Sequence, residues 1–168
     1  MSRHILFCLG FILAGATSTA QAADSAKADI RSADGKVIGS ATLADTPKGV
    51  LITVSLKGAP EGVHAFHVHE VGKCEPPFKS AGAHFNPDHK KHGFVAAGPH
   101  AGDMPNLHIP ASGDLEQEVL NPNLSLASML DSDGSAVILH AKADDYKSDP
   151  AGNAGDRVAC GVVEKASP

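Results

Sequence analysis

About 40 residues in the middle of this chain, 71–113, are rich in Gly, Pro, His and Asn and show no alternating or helical run of apolar residues long enough to make an element. Segments that read as β-strands lie on either side. A loop of that length inside a compact domain is uncommon, and where one occurs it is generally functional. Its residues cannot bury enough apolar surface to order it, so another interaction has to. The same stretch carries His84, His92 and His100 at intervals of eight, with Asp103 three positions further on. Three imidazoles and a carboxylate make a complete tetrahedral set of the kind zinc takes. Metal binding would supply the missing ordering free energy.

The flanking sequence is consistently β. In ADIRSADGKVIGSATL, Asp34-Gly35 separates two strand-like pieces, a strong hairpin signal. In GVLITVSL, Val50, Ile52, Val54 and Leu56 fall on one face and Leu51, Thr53 and Ser55 on the other. Gly58 to Gly62 turns the chain, and no stretch before Ser80 has helical periodicity. Strand signals return at Leu115–Leu120, at Ser135–His140 after the turn Asp131–Gly134, and at RVACGVV, which follows a second polar loop, AKADDYKSDPAGNAGD. At 168 residues the chain fits one domain, all-β with two long loops.

One strand is unusual. HAFHVHE, residues 64–70, places His67 and His69 on one face and Phe66 and Val68 on the other. Taken alone, an H-x-H pair reads equally well as polar residues on a solvated face. Beside a loop already shaped for a metal, two imidazoles on a rigid strand read as ligands.

The first 22 residues contain Arg3, an apolar run from Ile5 to Ala16 and the small-residue site Ala20-Gln21-Ala22. This is the pattern of a signal peptide, cleaved to leave a domain at 23–168. The run of 12 residues is short of the roughly 20 that cross a bilayer, so a retained anchor is the weaker alternative, and no membrane role is expected after cleavage. Cleavage takes Lys+Arg from 14 to 13 against 19 acidic residues, a formal charge of −6. With 4% aromatic residues and no basic run beyond Lys90-Lys91, nothing points to nucleic acid. Cys8 leaves with the leader. Cys74 and Cys160 remain, and in an exported chain an even pair reads as a disulfide, the alternative being two buried thiols.

HAFHVHE, AGAHFNP, GPHAGD, LHAKADD and GNAGDRVACGV occur in that order and resemble the Cu,Zn superoxide dismutases from about Lys27 to Val163. The leader and the cysteine pair are similar to the exported, periplasmic bacterial type. The resemblance implies an eight-stranded Greek-key β-barrel whose two long loops hold copper and zinc. His67, His69, His84 and His140 match copper ligands, and His84, His92, His100 and Asp103 match zinc ligands, with His84 bridging. Asp144 matches the carboxylate that hydrogen-bonds a ligand histidine of each metal, Arg157 the arginine beside copper, and Cys74–Cys160 the internal disulfide. The implied reaction takes two superoxide anions and two protons to oxygen and hydrogen peroxide, with copper alternating between oxidation states and the copper–His84 link opening and closing.

Three histidines of the mature chain fall outside these sets. His64 matches a structural histidine of the family motif, whereas His89 and His108 match no role and read as surface residues. Ala141 stands where many relatives carry an acidic residue, in the loop that shapes the field over copper. Two other functions fit parts of the pattern. A non-catalytic exported copper/zinc-binding protein would need neither His140 nor Arg157, and both are present. A zinc hydrolase would need an open zinc position, whereas the zinc set is already complete. Superoxide is the expected substrate, and the sequence leaves open whether the protein forms a homodimer.

Overall fold

Between Ser25 and Leu56 the period-two patterning is realised as three antiparallel strands, β1 (Ser25–Ser32), β2 (Val37–Thr46) and β3 (Gly49–Leu56). The computed structural model describes residues 25–166, so the leader at 1–22 lies outside the described residues. The β1–β2 hairpin turns at Asp34-Gly35, where Gly35 takes φ 85°, a conformation that costs glycine nothing. Val50, Ile52, Val54 and Leu56 are all buried, and the alternate positions of β3 are half-exposed.

The chain continues through β4 (Gly62–His64), β5 (Phe66–His69), β6 (Leu107–Ile109), β7 (Leu115–Asn121), β8 (Ala136–His140), β9 (Arg157–Val162) and β10 (Glu164–Lys165). β4 and β5 are one strand interrupted at Ala65, whose N–H bonds Lys142 O while its carbonyl accepts from His140 N. β10 continues β9 past Val163 and pairs with β1. Counted this way there are eight strand positions. The main sheet runs β5-β8-β9-β1-β2-β3-β7, and β6 joins it by pairing with β4. Its two ends meet through the turn between β6 and β7, where Gly113 O accepts from Ala59 N and Asp114 Oδ1 from Gly58 N. The connections β3–β4 and β7–β8 cross between strands that are not sheet neighbours, which gives the curled antiparallel sheet its Greek-key order.

Two details depart from the sequence reading. The stretch 71–113 is not wholly irregular, since it contains β6 and a one-turn 3-10 helix at Lys79–Ala81. Leu-His-Ile is too short for its alternation to stand out, and it is a strand only because β4, more than 40 positions earlier, supplies its hydrogen bonds. A single α-helical turn, α1 (Leu126–Met129), fills part of the segment before β8. It is started by Ser125, whose Oγ accepts from Ser128 N.

The core fills the barrel with Leu43, Ile52, Leu56, Phe66, Val68 and Leu139 among others. Each side chain of this size contributes about 1.5–3 kcal/mol on burial. β8 is buried on both faces because Val137 and Leu139 point into that core, while Ala136 and Ile138 join a second cluster outside the barrel with Phe78, Ala81 and Cys160. That outer cluster lies beneath the Cys74–Cys160 disulfide, which ties the first long loop to β9 across 86 positions of sequence. Closing a loop of that length is worth about 4–5 kcal/mol in the chain-entropy account. Denatured but unreduced protein lacking residues 1–22, and so Cys8, should therefore show no free thiol, and its reduction should cost several kcal/mol in urea unfolding. A count of two thiols before reduction would contradict the bridge.

Candidate metal centre

β5 sends Phe66 and Val68 into the core and His67 and His69 to the outer face, yet all four side chains are fully buried. The two long loops do the covering. The first brings His84 beside His69 through an isolated antiparallel bridge. β8 ends in His140, directly across from Arg157 of β9 after a register shift. His67, His69, His84 and His140 thereby form one group of donors, and His84, His92, His100 and Asp103 form a second.

In the first group each ring has one nitrogen committed and one bare. His67 Nε2 donates to Asp144 Oδ2 at 2.8 Å, His69 Nδ1 to Gly82 O at 3.1 Å and His140 Nδ1 to Gly155 O at 3.5 Å. Those bonds set the tautomers, leaving a lone pair on His67 Nδ1, His69 Nε2 and His140 Nε2. These three atoms and His84 Nε2 are buried with no hydrogen-bond partner. An unpaired buried nitrogen is costly, and four converging ones are what a metal ion with imidazole ligands would satisfy. Burial leads the causes that depress the ring pKa values, which fall to about 4 for His67, about 2 for His69 and about 3 for His140. These rings are neutral at pH 7 and ready to donate to a cation.

The second group converges on one point. Asp103 Oδ1 lies 2.8 Å from His84 Nδ1, 3.0 Å from His92 Nδ1 and 3.3 Å from His100 Nδ1, and the His84 and His100 Nδ1 atoms are 3.4 Å apart. Four donors about 2.0–2.1 Å from a tetrahedral ion would be about 3.3 Å apart. The spacing therefore fits such an ion. Burial alone would raise the Asp103 pKa, but bonds from His84, His92 and Gly93 N–H hold it well below the usual carboxylate range.

Asp144 joins the groups from behind. Its Oδ2 takes the His67 bond, and its Oδ1 accepts from His92 Nε2 at 3.0 Å. Although burial opposes it, the two carboxylates raise the His92 pKa to about 9. Arg157 is half-buried beside the first group, and its charge is among the causes lowering the His69 and His140 pKa values. His64 bonds His140 O at 2.8 Å and Glu61 O at 3.3 Å, which suits a residue that pins backbone. His89, His108 and Ala141 are exposed, and neither histidine belongs to a donor group.

Several residues that shape the centre were not singled out from sequence. Asn106 grips the Asp144 backbone at both ends, with Nδ2 donating to Asp144 O at 3.0 Å and Oδ1 accepting from Asp144 N at 2.8 Å. Tyr146 accepts from Asn106 N at its hydroxyl, stacks on Phe94 and accepts from Phe94 N at its carbonyl, stitching the two loops together. Asp149 accepts from His92 N and pairs with Lys91. Gly152 has φ 62°, and a Cβ there would sit 1.9 Å from Asp144 Oδ1. None of these lies in a pattern with local periodicity, so only the loop's dense polar composition hinted at them.

The model of the copper/zinc superoxide dismutase family matches residues 37–163. The chain is 50% identical over 146 residues to Superoxide dismutase [Cu-Zn] 2 of Aquifex aeolicus, an overlap of 82% of this chain and 85% of that one. It is 42% identical to Superoxide dismutase [Cu-Zn] of Caulobacter vibrioides, over 83% and 86% of the two chains. Among solved structures it is similar to a SOD-like protein from Bacillus subtilis, with TM-score 0.78, 38% identity and coverage of 81% and 96%. It is also similar to the Cu/Zn superoxide dismutase from Brucella abortus, with TM-score 0.72, 30% identity and coverage of 83% and 99%.

The His92 proton has a measurable consequence. Below a pKa of about 9 the ring of the metal-free protein carries two protons, and an ion entering the second group must displace the one on Nδ1. Zinc uptake by copper-free protein at pH 7 should thus release about one proton, and apparent affinity should rise up to about tenfold per pH unit toward pH 9. Calorimetry in two buffers of different ionisation enthalpy reads this directly. Buffer-independent heats at pH 7 would contradict it.

Proposed function

The chain belongs to the copper/zinc superoxide dismutase family, and we propose that it dismutes superoxide at the two donor groups joined by His84. Family membership brings copper and zinc as the metals. The reading assigns copper to His67, His69, His84 and His140, and zinc to His84, His92, His100 and Asp103. The observation that carries it is the set of four buried, unpartnered nitrogens on His67, His69, His84 and His140, one of them on a ring whose other nitrogen belongs to the second group. An all-imidazole set suits a metal that changes oxidation state, and adding a carboxylate suits one that does not.

When bound, copper supplies one-electron exchange with superoxide, two anions and two protons giving oxygen and hydrogen peroxide. The rest belongs to the chain. His84 holds or releases a proton at Nε2 while Nδ1 stays fixed in the second group, so proton delivery is tied to a ring that cannot drift. Asp144 keeps the His67 and His92 rings in register. Arg157 attracts the anion, a task that matters because the formal charge of −6 on the domain at 23–168 repels it overall. The loops exclude water from the ligand rings.

Export belongs to the same reading: residues 1–22 act as a cleaved leader and the domain at 23–168 works in the periplasm. The Arg3–Ala22 pattern and a disulfide of the kind that persists in oxidising compartments support it.

Metal analysis of the purified mature protein with a superoxide assay tests the reading, which expects one copper and one zinc per chain. His140→Ala should abolish dismutation with zinc retained, and wild-type turnover by that variant would overturn the copper assignment. At an effective dielectric of about 20, a unit charge about 5 Å from the anion contributes about 3 kcal/mol before screening. Solvent at the mouth reduces this, so Arg157→Ala should slow the second-order rate by about ten- to a hundredfold and flatten its salt dependence. Equal salt slopes in the two proteins would remove Arg157 from the steering role, leaving the exposed Lys142 and Lys147 as candidates.

A further inference from the structure

Arg157 is itself held by two backbone carbonyls: Nη1 donates to Phe78 O at 2.7 Å and Nη2 to Gly82 O at 2.6 Å. These residues are the N-cap and C-cap of the one-turn helix Lys79–Ala81. Gly82 is secured from the other side as well, because its carbonyl also accepts from His69 Nδ1. Phe78 has no such link to the histidines. Its backbone sits in the left-handed region, φ 68° and ψ 16°, where a bulky residue is rare and needs outside support.

The support comes from the side chain. The Phe78 ring is 1% exposed and packs with Ala81, Ala136, Ile138 and Cys160 in the cluster outside the barrel. It is therefore seated on β8 and β9, the two strands that carry His140 and Arg157. The disulfide fixes the loop at Cys74 and the donor groups fix it at His84; Phe78 anchors the span between. Glycine would suit the backbone angles better but would bring no ring to lock them.

We propose that Phe78 is a positioning residue for Arg157: its ring, plugged into the cluster on β8 and β9, sets the carbonyl that aims the guanidinium at an anion beside His69 and His140. This rests on the reading of Arg157 as the anion-attracting group at the copper-side histidines. Phe78 touches neither metal nor substrate in this scheme. Its contribution is the direction of a charge, so it should appear in anion binding and not in metal content.

The test is a double-mutant cycle on mature protein loaded with copper and zinc, using azide as the anion and following the Cu(II) charge-transfer band. Arg157→Ala should weaken azide binding about tenfold, and Phe78→Ala about three- to fivefold with both metals retained. In the Arg157→Ala background Phe78→Ala should add nothing, because the group it aims is gone. Phe78→Leu, which refills the cluster, should recover most of the loss. If Phe78→Ala does not fold, the Leu variant carries the same cycle with a loss of about twofold that vanishes without Arg157. Wild-type azide affinity in the Phe78 variants, or an equal loss in both backgrounds, would reduce Phe78 to a packing residue and overturn the proposal. Wild-type affinity in Arg157→Ala would instead sink the reading of Arg157, and the inference with it.

Discussion

The sharing of His84 is the constraint around which the centre is arranged. One imidazole offers Nδ1 to a group containing Asp103 and Nε2 to a group containing the strand histidines. The two groups can share a ring only if the loop carrying His84 and the barrel carrying His67 and His69 are held in place to within about 0.5 Å. Asp144 closes the circuit from the opposite side, with one carboxylate oxygen on His67 and the other on His92. A displacement of either loop would be felt in both groups at once.

The barrel tolerates such loops because its own stability lies elsewhere. Leu43, Ile52, Leu56 and Phe66 on the strands fill most of the interior; the first loop adds Phe85, Ala101 and Met104 to that core, and residues 141–156 add none. Beyond those three residues, the loops are secured by a disulfide, the small cluster around Phe78, the Asn106 grip on Asp144 and the Tyr146–Phe94 seam. Each of these ties a loop to a strand or to the other loop. Burial keeps His67, His69 and His140 neutral, whereas the carboxylates of Asp103 and Asp144 keep His92 protonated against the effect of burial. The electrostatic asymmetry between the groups thus arises from the same contacts that order the loops.

Much of this was legible in the residues, and the limits of legibility are instructive. The β3 alternation and the Asp34-Gly35 hairpin are local patterns, and both appear in the structure where they were read. The spacing of His84, His92, His100 and Asp103 announced a metal loop before any resemblance was considered. β6 escaped notice because three residues carry no usable period, and the α1 turn because its start depends on Ser125 and on Asp45 of a distant strand. Asp144 and Arg157 were legible only through the family motifs. In isolation, a loop aspartate and a strand arginine have many uses.

By itself, the sequence determined what is local or chemical: an all-β chain, the residue types available as donors, the acidic net charge and a cysteine pair able to close a long loop. Tertiary structure alone decided which nitrogen of each imidazole is bare. That choice depends on where the carbonyls of Gly82 and Gly155 and the carboxylate of Asp144 come to rest after folding. It also decided that Asn106, Tyr146 and Phe78 matter, since each acts through a partner remote in sequence. The physical reason is the same in every case: a hydrogen bond or a packed ring has meaning only in three dimensions, whereas alternation and residue type are written along the chain.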